Sequence, residues 1–318
     1  MFQPSYSRRR VLRQGSAATL LGALVGISGC SSSILEPNNS RELPNYATWA
    51  PAPDRLFGDT ESQFSSRWYP FRARRFGELA AYLSRREESF EDTTLYQDGM
   101  AHPVLDVEPS DAGMELRGGG RGISVLETSL SEEDVIEAYQ TPESGEPITD
   151  PFESIGEYEG YRLLSGAEGD WVIGVNDGLV VEAFSSATQD PLGEKRPVVE
   201  AIIDARAGEG RYVDAERSLS ELVHRLGSGI IISIDPPVQR SESNAEAMEY
   251  SEPIASGVTY SAAETRNARQ VLAFASKETA GKFADSPNTD PSRAWLDVSV
   301  SREDRYVEIS GTHHPVTR

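Results

Sequence analysis

Cysteine is nearly absent: Cys30 is the only one in 318 residues. No intramolecular disulfide can form, and a cysteine-rich zinc set cannot be assembled. Histidine is scarce too. His102, His224, His313 and His314 are the full complement, with no HExxH and no pair at the i, i+4 helical spacing of a zinc site. Basic charge is in short supply, at 30 basic against 51 acidic residues and a net charge of −21. Only three of the basic residues are lysines, Lys195, Lys277 and Lys282. Phosphate backbones require a clustered basic face. The densest basic run past the N-terminus is Arg72, Arg74 and Arg75, with Glu87, Glu88, Glu91 and Asp92 close behind. Nucleic acid is excluded as a partner.

Catalytic signatures are missing as well. There is no Gly-x-Ser-x-Gly elbow and, past the N-terminus, no Ser-x-x-Lys. Gly118-Gly119-Gly120-Arg121-Gly122 lacks the Lys-Ser/Thr of a phosphate loop and precedes a strand, so it reads as a turn. The acidic pairs Asp106 and Glu108, and Glu132-Glu133-Asp134, read as solvated faces and helix caps. No calcium loop of the Asp-x-Asp-x-Asp-Gly type occurs. The expectation is a non-enzyme with no metal and no cofactor.

What is present is concentrated at the N-terminus. Arg8-Arg9-Arg10 and Arg13 precede an uncharged stretch from Gln14 to Gly29, closed by Ile27-Ser28-Gly29-Cys30. Only about 14 residues separate Ser16 from Cys30, short of the roughly 20 that a membrane-spanning helix needs. A basic region, an apolar region and small residues at a cleavage point make an export signal. Arg8 and Arg9 resemble the pair of a twin-arginine signal. Ile27, Ser28, Gly29 and Cys30 resemble the lipobox of secreted lipoproteins. That resemblance implies cleavage after residue 29 and lipidation of Cys30, and hence a protein on the outer face of the cell membrane.

Removing residues 1–29 takes away four arginines and no acid, so the net charge moves to −25. Such self-repulsion destabilises a compact state in dilute buffer, whereas at molar salt the Debye length is about 3 Å and screens it. Signal, acidity and lysine depletion together are similar to the exported lipoproteins of extremely halophilic archaea. The resemblance is strong over the signal and compositional over the rest.

Residues 31 to about 55 are rich in Ser, Asn and Pro and read as a disordered tether. Within them Asn38-Asn39-Ser40 is an N-glycosylation acceptor pattern at Asn38. Beyond the tether, Phe76, Leu79, Ala80 and Leu83 fall on one face of a helix over 75–88. Residues 123–130 read as a strand, with Ser131 capping a helix. Residues 161–164 are a strand, and 171–175 and 179–184 a hairpin across Asn176-Asp177-Gly178. Pro197 opens a helix, and Ser218 caps another that ends at Gly227. Strands at 230–234 and 269–275 and a helix at 277–285 follow. Strands 295–300 and 306–309 pair across residues 301–305.

Strand, helix, strand, strand thus occurs from 122 to 184 and again from 269 to 309. This order indicates an α+β fold, a mainly antiparallel sheet with helices on one face. Either it is a duplication of ferredoxin-like units or the two stretches are alike by chance. The expected organisation is a domain over 56–230 and a smaller one over 231–318. The functional expectation is a lipid-anchored, non-catalytic binding or envelope-interaction module. Its expected partners are the membrane, through the lipid, and another envelope protein. The alternatives are a solute-binding lipoprotein of a membrane importer and, third, a hydrolase using dispersed carboxylates.

Overall fold

Successive side chains on a strand point to opposite faces of its sheet, and in several strands here both sets are apolar. In β3 (Ile123–Thr128), β6 (Trp171–Asn176) and β7 (Leu179–Phe184), buried residues alternate onto both sides. A strand buried twice over needs cover on both faces, and that requirement shapes the architecture. The computed structural model describes residues 43–57, 69–79, 104–105, 107, 111–118, 122–141, 150–184, 194–235, 255–261, 267–285 and 295–313.

The other strands are β1 (Phe71–Arg75), β2 (Ala112–Gly118), β4 (Glu153–Tyr158), β5 (Tyr161–Ser165), β8 (Ile231–Asp235), β9 (Ala255–Tyr260), β10 (Asn267–Ala273), β11 (Trp295–Glu303) and β12 (Tyr306–His313). All twelve form one antiparallel sheet in the order β11-β12-β10-β9-β8-β1-β2-β3-β7-β6-β5-β4. The helices are α1 (Pro53–Phe57), α2 (Glu132–Gln140), α3 (Lys195–Ala207), α4 (Tyr212–Ala215), α5 (Arg217–Leu226) and α6 (Lys277–Ala284).

The fold is α+β with a large antiparallel sheet, as expected, but helices cover both faces rather than one. On the front face, Val198, Val199, Ile202 and Ile203 of α3 and Leu219, Leu222, Val223 and Leu226 of α5 share a core with Phe71, Leu116, Val125, Val181 and Val271. On the back face, Val135, Ile136 and Tyr139 of α2 pack with Leu164, Ile173, Val175 and Val180. Ala280 of α6 packs there with Leu272, Phe274, Val307 and Ile309.

Outward from the β1–β8 junction, the strand order is the same in both directions: β1-β2-β3-β7-β6 on one side and β8-β9-β10-β12-β11 on the other. In each half a helix follows the third strand, and both helices lie on the back face. A boundary at residue 230 would fall just before β8, which is bonded to β1 on one side and to β9 on the other. Both edges of the sheet carry an irregularity, between Leu296 and Ser299 on β11 and between Ser154 and Gly156 on β4. Bulges at sheet edges discourage pairing with another chain.

The tether ends earlier than its composition suggested. Residues 45–49 form a 3-10 turn leading into α1, and Tyr46, Trp49 and Leu56 are buried in the front core. Counting Ser, Asn and Pro overlooked three large apolar side chains, enough burial to order a short segment. Arg206 of α3 stacks 5.0 Å from the Trp49 ring centroid and donates to Asn45 Oδ1 and Thr48 Oγ1.

Smaller differences have local causes. The helix opened by Pro197 begins two residues earlier, at Lys195. Glu216 rather than Ser218 caps α5, its carboxylate accepting from Ser218 N–H. Glu221 instead accepts from Arg217 and from the Tyr306 hydroxyl. The β11–β12 hairpin turns on Asp304 and Arg305 alone, with Glu303 facing Tyr306 and Asp304 at φ 52°. Of the helix expected over 75–88, residues 76–79 are helical and Phe76 and Leu79 are buried; the remainder lies outside the described residues.

Candidate functional site

One register row on the back face crosses the sheet. Through β6, β7, β3, β2 and β1 it reads Ile173, Glu182, Ser124, Arg117, Arg72. Beyond the junction, through β8, β9, β10, β12 and β11, it continues Ser233, Val258, Gln270, Ile309, Val300. The two stretches run through strands of matching order. The first carries two arginines and a glutamate; the second carries no charge.

The charged stretch is supported from the adjacent row, where Arg74 faces Glu115. Arg117 Nε donates to Glu115 Oε1 at 2.6 Å, and Arg74 Nη1 lies 3.7 Å from Glu115 Oε2. One carboxylate therefore sits between two guanidiniums. Arg74 and Glu115 are buried, Arg72 is exposed, and the Arg117 side chain is 31% exposed. The Arg72 charge also acts on the half-buried Tyr260 hydroxyl, opposing the rise in pKa that burial imposes there.

At the other end Glu182, 2% exposed, accepts from the Tyr139 hydroxyl at 2.5 Å. Burial pushes the Tyr139 hydroxyl well above the ordinary tyrosine range, and the charge and hydrogen bond of Glu182 push it further. Tyr139 is thus a fixed donor to Glu182. It comes from α2, whose start is set by Ser131 Oγ accepting from Asp134 N–H.

Buried ion pairs offer little net stability, and apolar residues of similar volume often replace them without loss. In the second half of the sheet Val258 and Ile309 stand in the row that holds Arg72, Arg117 and Glu182 in the first. Sequence reading met Arg72, Arg74 and Arg75 only as a basic run. The period-2 alternation of Phe71, Arg72, Ala73 and Arg74 with Met114, Glu115, Leu116 and Arg117 is the signal that places four charges on one face.

The residues singled out from sequence contribute little to this row. Arg8, Arg9, Ile27, Ser28, Gly29, Cys30 and Asn38 lie outside the described residues, as do His102, Asp106, Glu108 and His314. Gly118 ends β2 and Gly122 precedes β3, the turn position expected of the glycine cluster. His224 faces the Ser220 carbonyl of its own helix, with Nδ1 at 2.7 Å, and His313 ends β12. Glu132 pairs with Arg162. Among the described residues no group of three His, Cys, Asp or Glu is arranged to hold a metal, and no helix is long and apolar enough to cross a membrane.

No protein-family model matches the chain, and no curated protein matches its sequence. One solved structure, described as "Structure of crystal form III of TP0453", is similar over 85% of this chain and 92% of its own, at 8% sequence identity and a TM-score of 0.44.

Proposed function

We propose that this chain is a lipid-anchored, non-catalytic binding module on the outer face of the cell membrane of a salt-loving archaeon. Its contact surface is Arg72 and Arg117, the solvent-reached end of a row whose Ser124 and Glu182 are buried. The observation that carries the reading is the contrast within one row: charge on one side of the β1–β8 junction, Val258 and Ile309 on the other. The export and lipidation signals at Arg8, Arg9 and Cys30 supply the location. Adaptation to salt draws support from the few lysines, since Lys195 is buried and Lys282 is paired with Glu278. The finer reading of the fold, two related α+β units joined at β1 and β8, draws support from the matching strand orders. A relative built from one half alone would establish it.

The binding reading is tested in native envelopes. The chain is crosslinked in its membrane beside an Arg72→Gln, Arg117→Gln double variant with the same circular dichroism and melting temperature. Wild type is expected to give a discrete crosslinked species that the variant loses. Identical crosslinking by both proteins refutes the contact surface. Mass spectrometry of the Cys30 peptide reads the anchor: a diacylglyceryl-type adduct supports it, and a free thiol on full-length cytosolic protein rules it out.

A further inference from the structure

We draw no further inference here: the strongest candidate, the outer edge of β11 at the end of the sheet, where Val298 and Val300 are exposed, carries nothing because nothing in the structure shows what covers it.

Discussion

Replacing Trp49 with alanine tests whether the segment before the first strand belongs to the folded body or to the tether. The indole is 0% exposed and shares the front core with Tyr46, Leu56, Tyr69 and Tyr212. Truncating a buried aromatic side chain to alanine costs about 3–5 kcal/mol, because the lost transfer free energy is compounded by the cavity. The Arg206 cation–π contact adds little, about 0.5 kcal/mol, since Arg206 keeps its bonds to Asn45 and Thr48. For a domain of this size each kcal/mol moves the melting temperature by a few degrees, so a fall on the order of 10 °C is expected. Thermal unfolding followed by circular dichroism in concentrated KCl measures it, with Trp49→Phe expected to fall between. A drop of under about 1 °C would refute the packing, because surface substitutions away from such contacts are nearly neutral.

Two glycines give a graded comparison. A Cβ at Gly257 would lie 2.3 Å from Leu226 Cδ1, at the contact between β9 and α5, so Gly257→Ala is expected to destabilise by about 1–3 kcal/mol in a denaturant titration. A Cβ at Gly281 meets Arg302 Nη1 at the same 2.3 Å, but that is the far end of a flexible side chain, so Gly281→Ala should cost much less. Glu221 predicts the acid limb. Burial alone would raise its carboxyl, but the Tyr306 hydroxyl, Arg217 and Arg305 outweigh it and hold it below the usual value. A lowered folded pKa gives stability that is present above the unfolded value near 4.5 and is lost as pH falls through the folded one. Glu221→Gln should therefore be less stable than wild type at pH 7, with the gap closing below about pH 4; a constant gap across that range would count against the network. Salt is the last lever. Unfolding is expected below roughly 1 M NaCl as screening fades, and an unchanged dichroism spectrum down to millimolar salt would contradict it.

How much was legible in the sequence follows from which physics is local. The 171–184 hairpin was readable because two apolar runs flank Asn176-Asp177-Gly178, and Gly178 takes φ 71° there. The helix expected over 277–285 is observed over Lys277–Ala284, its start fixed by Ser276 Oγ accepting from Thr279 N–H. The same continuous runs in β6 and β7 also contained the evidence for cover on both faces, yet without partners they fit a one-sided sheet with some burial to spare. Order along the sheet was not readable, since pairing β1 with β8 joins residues about 160 apart. The charged row was invisible for the same reason: Arg117 and Ser124 pair across a local hairpin, but Arg72 and Glu182 join them only through two long-range strand pairings.

The placement of arginine rather than lysine in that row is consistent with the proposed life in concentrated salt. In concentrated salt, a strongly hydrated ammonium gains little from a partner it must share with abundant ions. A guanidinium is more weakly hydrated and holds its partner through paired bonds of fixed geometry. The Arg74–Glu115–Arg117 set uses that property inside the sheet, where Glu115 meets one arginine through a 2.6 Å hydrogen bond and the other by charge alone. The α5–β12 contact uses it again on the front face. There Arg225 lies 4.4 Å from the Tyr306 ring centroid, Arg305 lies 5.3 Å from it, and Arg269 donates to the Arg225 carbonyl. The difference lies in what each set leaves over. Around Tyr306 the guanidiniums meet Glu221, Glu303 and Glu308, so charge is balanced within the protein. On the back of β1 and β2 the buried carboxylate of Glu115 lies between Arg74 and Arg117, and the Arg117 side chain stays 31% exposed at the end of the set, so it is the guanidinium there that solvent and partners reach.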